Sequence, residues 1–272
     1  MDKILFISIN TEWSDIMSKF KYVILTKKTF LTTITVTVAI VLTTILSVSA
    51  KTNNRKLPIY CVEKEEKVIA LSFDAAWGND DTEHLIEILA KYNAPATFFV
   101  VGEWVDKYPE SVKQLADAGH QIQNHSATHP HMPNLSTEKM IEQLRVCNEK
   151  INAVTGQTPT LFRCPYGDYN NAVISAVESI GMYTIQWNID SKDWMDGHTA
   201  DIITNDVLSK VKPGSIVLFH NDADHTPEAL PTILEKLSND GYKFVFISDL
   251  IYKDNYEIKH DGTQSKIKDG AN

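Results

Sequence analysis

The chain has 272 residues, a formal charge of -9 and 43% hydrophobic residues, which allows one good-sized catalytic domain plus a short appendage. The acidic balance, with no basic stripe in the body of the chain, argues against a general affinity for nucleic acid, which needs Lys and Arg facing the phosphates. Three widely separated cysteines, Cys61, Cys147 and Cys164, lack CxxC spacing and favour neither a disulfide framework nor a cysteine metal site.

Residues 1–28 read as a cytoplasmic N-terminal segment. Residues 29–50, TFLTTITVTVAIVLTTILSVSA, carry no charge and are long enough to cross a membrane as one helix. Lys19, Lys21, Lys27 and Lys28 precede this span, as the positive-inside rule expects, although Lys51, Arg55 and Lys56 follow it. Val48-Ser49-Ala50 resembles a signal-peptidase site, so the alternatives are a single-pass anchor and a cleaved signal. The expected location is the cell membrane with the catalytic domain outside the cytoplasm, or secretion after cleavage. Residues 51–66 are polar, contain a Pro and read as a linker.

From Lys67 to Lys253 short apolar runs alternate with helix-like stretches. Strands are expected at 68–73, 96–100, 121–123, 161–163, 183–186, 215–219 and 243–246, and helices at 80–92, before Gly119, and at 136–154, 171–180, 199–211 and 227–237. Ser136 opens a capping pattern, and Gly119, Gly181 and Gly241 fall just after helices. The alternation implies α/β architecture with parallel strands, as a distorted (β/α) barrel of about seven units. Residues 254–272 read as a loosely ordered polar tail.

The polar clusters follow predicted strands, where a parallel barrel places its chemistry. In Phe73-Asp74-Ala75-Ala76-Trp77-Gly78-Asn79-Asp80-Asp81, Asp74 ends the first strand and suits a general base or a helix cap, with Asp80 or Asp81 better placed to cap. His125 and His129, four residues apart, would share one face of a helical turn and suit a divalent metal, whereas such a pair can also be a plain polar loop. Arg163-Cys164-Pro165-Tyr166-Gly167 offers a guanidinium for a carboxylate and a rigid turn for an oxyanion, or else an ordinary αβ turn. Asp190-Ser191-Lys192-Asp193-Trp194 is an acidic turn with an aromatic wall, and His220 ends a buried strand.

Taken in order, Phe73-Asp74, His125 to His129, Arg163 to Gly167, Asp193-Trp194 and Leu218-Phe219-His220 resemble the five motifs of the polysaccharide deacetylase superfamily, the NodB homology domain of carbohydrate esterase family 4. The resemblance covers about residues 67–250. It implies a hydrolase that removes N-acetyl groups from glycan, with a divalent metal (Zn, Co or Mn) polarising the acetamide. By this likeness Asp74 is the base, His220 the acid, and Asp193 and Arg163 orient them. His125 and His129 would be metal ligands, Tyr166 the oxyanion donor, and Trp194, Leu218 and Trp77 the substrate pocket. The common family pattern has a second Asp directly after the base, where this chain has Ala75; Asp80 or Asp81 could replace that ligand. Phe-Asp-x-x-Trp-Gly looks like a sporulation-associated subgroup, which implies peptidoglycan N-acetylglucosamine or N-acetylmuramic acid as substrate. The alternative is a catalytically weak or inactive glycan-binding protein of wall or spore assembly.

Overall fold

The strand Val68–Ala75 (β2) carries Val-Ile-Ala-Leu-Ser-Phe-Asp-Ala and is buried along almost its whole length, which requires cover on both faces. Period-2 alternation divides its side chains. Ile69, Leu71, Phe73 and Ala75 join an apolar cluster with Leu85 and Leu89 of the helix Thr82–Lys91 and Leu230 and Leu234 of the helix Thr226–Asn239. Ala70 packs on the opposite side with Phe99, Ile185 and Ile216.

This arrangement belongs to a computed structural model that describes residues 34–40 and 55–267. Parallel neighbours of β2 are Ala96–Val100 (β3) and Ile216–His220 (β8). Gln121–Asn124 (β4), Leu161–Phe162 (β5) and Tyr183–Thr184 (β6) continue the sheet beyond β3, and Ile189–Asp190 (β7) lies beyond β8. Lys243–Phe244 (β9) pairs with the start of β2. The expected α/β architecture of parallel strands under helices is present, as an open half-barrel. Among the described residues β6 and β7 are not paired with each other. Ile185 instead bridges Ile59. The sequence predicts one strand over 183–186, but the chain turns away after Thr184 and forms the separate two-residue β7.

In-register pairing aligns the strand ends. Phe73 lies opposite Phe98 and Phe219, and its ring stacks on theirs at centroid distances of 4.8 and 5.4 Å. The next residue, Asp74, lies opposite His220 and Phe99, while Asp190 lies opposite Leu218. The aromatic ladder therefore fixes which polar side chains share the C-terminal end of the sheet.

Two expected boundaries move. Cys61–Val62 (β1), inside the stretch read as a linker, pairs with Thr263–Lys266 (β11), which also pairs with Tyr256–Ile258 (β10). The stretch read as a polar tail thus carries two strands as far as Lys266. Buried Gln264 explains how so polar a segment is held: its side-chain amide bonds the backbone N–H and C=O of Tyr252. No apolar periodicity announces such pairing, and β1 and β11 lie about 200 residues apart.

All three cysteines are free and buried. Residues 34–40 are helical and exposed. The remainder of the expected 29–50 span, and all of 1–28, lie outside the described residues. Among the described residues no helix is long and apolar enough to cross a membrane.

Candidate functional site

Asp74, at the end of β2, is almost fully buried and can be so because Arg163 meets it: Nη1 donates to Oδ1 at 2.7 Å. Arg163 is itself fully buried. Its Nη2 donates to Ser72 Oγ at 2.8 Å, and its guanidinium lies 4.2 Å over the Phe99 ring. Burial raises the Asp74 pKa, but the charges of Arg163, His125 and His220 outweigh it, so the carboxyl stays below its ordinary value. Asp74 is a carboxylate at neutral pH.

His125 follows β4, and its backbone N–H donates to Val100 O. Its Nδ1 lies 2.9 Å from the Arg163 carbonyl, an acceptor, so Nδ1 carries the proton and Nε2 presents a lone pair 3.5 Å from Asp74 Oδ2. His129 reaches the same place, its ring centroid 4.9 Å from that of His125. The helical turn expected for this pair is absent. Ser126 and His129 have φ of 70° and 55°, and Pro130 follows, so the segment is an irregular loop. The loop still gathers the two imidazoles, since the Ser126 side chain accepts from the His129 N–H. Burial lowers the His125 pKa and pushes His129 down to about 4, so both rings are neutral at pH 7.

His220, at the end of β8, is held by Asp193. Asp193 Oδ1 lies 2.7 Å from Nδ1, while Oδ2 accepts from the His220 backbone N–H at 2.8 Å and from Thr226 Oγ at 2.6 Å. Burial opposes protonation of His220, but Asp193 more than offsets it, and the pKa is raised. With Nδ1 bound to a carboxylate, Nε2 is the atom free to face a substrate.

Asp74, His125, His129 and His220 line one cavity of about 380 Å³. Its walls include Trp194, Leu218 and Trp77, the residues expected in a substrate pocket, and Tyr166, expected as an oxyanion donor, together with Trp187, Gly167 and Asp190. Tyr166 adopts φ 60°, a left-handed conformation inside the Pro165–Gly167 turn. Its ring stacks on His131 at 4.2 Å, and His131 pairs with Asp168. Trp187, Thr226 and His131 were not singled out by the sequence. Thr226 opens a helix rather than ending a strand, and Trp187 lies in the irregular passage between β6 and β7.

The expected third metal ligand is not at hand. Ala75 is fully buried, with a methyl group only. Asp81 Oδ2 instead accepts from the Asp222 N–H at 2.8 Å, and burial raises its pKa to about 6. Asp81 occupies the N-cap position of its helix but makes no side-chain cap bond, so the predicted capping role is not filled either. Asp80 is exposed and outside the cavity wall. Among the described residues no three His, Cys, Asp or Glu side chains are grouped to hold a metal ion. The two neutral imidazoles suit a cation, but the donor set does not fit a three-ligand site.

Residues 62–185 match the family Polysaccharide deacetylase. The chain is 37% identical over 195 residues to the peptidoglycan-N-acetylglucosamine deacetylase PgdA of Listeria monocytogenes, covering 72% of this chain and 41% of that protein. It is 36% identical to a peptidoglycan-N-acetylglucosamine deacetylase of Bacillus cereus, covering 70% of this chain and 91% of the relative. Among solved structures it resembles a CE4 family pseudoenzyme from Bacillus anthracis, with 36% identity, TM-score 0.69, and coverage of 72% and 69% of the two chains. The chain spans between 60% and 40% of the length of several curated relatives. The matched residues 62–185 include Asp74, His125, His129 and Arg163, and the chain belongs to the polysaccharide deacetylase family, CE4, a family of hydrolases acting on amides.

Proposed function

We propose that this chain removes acetyl groups from N-acetylated sugars of peptidoglycan. One observation carries the reading: an ionised carboxylate, Asp74, and an imidazole with a raised pKa, His220, face one cavity. Environments that push two titratable groups apart in this way supply a base and an acid at the same pH. Asp74 takes a proton from a water that attacks the acetamide carbon. The tetrahedral oxyanion sits against the turn at Tyr166, whose backbone N–H is the proposed donor. As the C–N bond breaks, His220 gives its Nε2 proton to the departing amine, leaving acetate and a free amino sugar. Arg163 keeps Asp74 charged and aimed, and Trp194 with Leu218 encloses the acetyl methyl. The relatives that act on peptidoglycan support the substrate class.

Acetate release from peptidoglycan fragments and N-acetylated chitooligosaccharides, measured with and without added Zn, Co or Mn, tests this reading. Absence of acetate from both substrates under all metals overturns it.

The second reading, glycan binding without turnover, is favoured by Ala75 and by the similar CE4 pseudoenzyme. Retained glycan binding with no acetate release distinguishes it. A mutant of that pseudoenzyme has restored enzymatic activity, so loss in such a site can be reversed by substitution. Here Ala75 lies opposite Val100, whose carbonyl accepts from the His125 N–H, so position 75 adjoins the imidazole loop. Ala75→Asp is expected to raise Zn affinity by about tenfold or more. Calorimetric titration checks this, and unchanged affinity would show that position 75 cannot reach the metal.

The pH profile gives a further expectation. If His220 is the acid, kcat/KM falls as pH rises through its pKa. Asp193 holds that pKa up, so Asp193→Asn shifts the alkaline limb to lower pH. An unmoved limb would assign the acid elsewhere.

We place the chain at the outer face of the cell membrane, anchored by residues 29–50, or secreted if cleaved after Ala50. The uncharged span and an extracytoplasmic substrate support this. The mass of the mature N-terminus separates the two. The Phe-Asp-x-x-Trp-Gly pattern supports a role in the wall of spore-forming bacteria.

A further inference from the structure

Trp77 is large, apolar and 51% exposed, yet it is not on a loose loop. The Ala76 N–H donates to Asn221 Oδ1 at 3.2 Å, and the Gly78 carbonyl accepts from Trp104 Nε1 at 2.9 Å and from Asn221 Nδ2. A Cβ at Gly78 would come within 2.1 Å of the Asp222 carboxylate, so the turn is also packed against the loop after β8. Asn79 adds a bond from Nδ2 to Ser111 Oγ at 2.9 Å. The residues on either side of Trp77 are therefore fixed to three separate parts of the fold. Its ring stands at the cavity rim, 5.3 Å from the His220 ring and inclined at 50° to it.

An exposed indole gains little from water, and ordering its supporting turn carries an entropic cost that packing of Trp77 itself does not offset. Such a preorganised aromatic face beside a cavity is the form taken by a binding anchor, because the cost of ordering has been met before the ligand arrives. Trp77 lines this cavity of about 380 Å³ beside His220, so a sugar lying on the indole face would be the neighbour of one held at Asp74 and His220. A pyranose ring has an apolar face of axial C–H groups that matches a flat aromatic surface.

We infer that Trp77 is a stacking platform for the sugar next to the one being deacetylated, so that the site selects a glycan strand over a single N-acetyl sugar. This rests on the glycan-deacetylase reading above. It makes Trp77 a specificity-determining residue for chain length.

The test measures Kd by calorimetry for N-acetylglucosamine oligomers of one to five units, in the full chain and in Trp77→Leu and Trp77→Phe. The wild-type chain is expected to bind the longer oligomers more tightly than the monomer. Trp77→Leu should reduce the monomer-to-tetramer Kd ratio by about tenfold, while Trp77→Phe, which keeps a flat ring, should restore most of it. The inference is overturned if the ratio is unchanged in Trp77→Leu, or if Leu and Phe behave alike. Binding that depends on length and on Trp77 without any acetate release would refute the catalytic reading and leave the stacking role of Trp77 standing. No binding at any length would overturn this inference, while the catalytic reading stands or falls on acetate release.

Discussion

Replacing either Asp74 by Asn or His220 by Ala is expected to lower acetate release by about 10²- to 10⁴-fold, the range in which positioned acid–base groups contribute. The two losses arise differently. Asn at 74 cannot take the proton from water, although it can still meet Arg163 through its amide oxygen. Ala at 220 removes the proton donor, and Asp193 then keeps two of its three donors, the backbone N–H of residue 220 and Thr226 Oγ. Because acid and base act in one reaction, the double variant should be little slower than the worse single one. Single-turnover acetate measurements on the purified variants, compared at matched folded fraction, provide the check. Turnover within a few-fold of the wild-type rate in either single variant would remove that residue from the chemistry.

Asp74 and His220 end long buried runs. Val-Ile-Ala-Leu-Ser-Phe before Asp74 and Ile-Val-Leu-Phe before His220 show that a strand is covered on both faces, so the polar residue that follows marks its C-terminal end. His125 and Arg163 lie at the short strands expected over 121–123 and 161–163, which carry no such long apolar run. What the sequence did not disclose depends on contacts between distant segments. The pairing of β1 with β11 involves polar or very short runs that have no period to read. The imidazole pair was legible as a pair, but its spacing left a helical turn and a loop both open, because spacing alone does not reveal the positive φ of Ser126 and His129. Asp81 was expected to act at its own helix or at the metal; its carboxylate is instead taken by the N–H of Asp222, a residue 141 positions away. Trp187 carries no such signal, because the open edge between β6 and β7 interrupts the strand pattern that marks the other site residues.

Arg163→Leu is expected to cost about 3–5 kcal/mol of folding stability, the range found when one member of a buried ion pair is removed. Arg163 is fully buried and is the main charge that keeps Asp74 ionised; without it a nearly buried carboxylate faces Phe99 and two neutral imidazoles. The loss is pH-dependent, and its sign follows from Asp74. In the wild-type fold the Asp74 pKa lies below its unfolded value of about 3.9, so the pair contributes stability above that pH and loses it as pH falls through the folded pKa. In Arg163→Leu the largest lowering influence is gone and only His125 and His220 still oppose burial, so the Asp74 pKa rises, the carboxyl protonates at a higher pH and the penalty shrinks on mild acidification. Urea unfolding at pH 7 and pH 5 measures both effects, with the larger drop in midpoint expected at pH 7. Adding Asp74→Asn should recover part of the loss, because no uncompensated charge remains. A double variant less stable than Arg163→Leu would show that Arg163 supports the fold mainly through Ser72 and the Gln186 carbonyl rather than through the carboxylate.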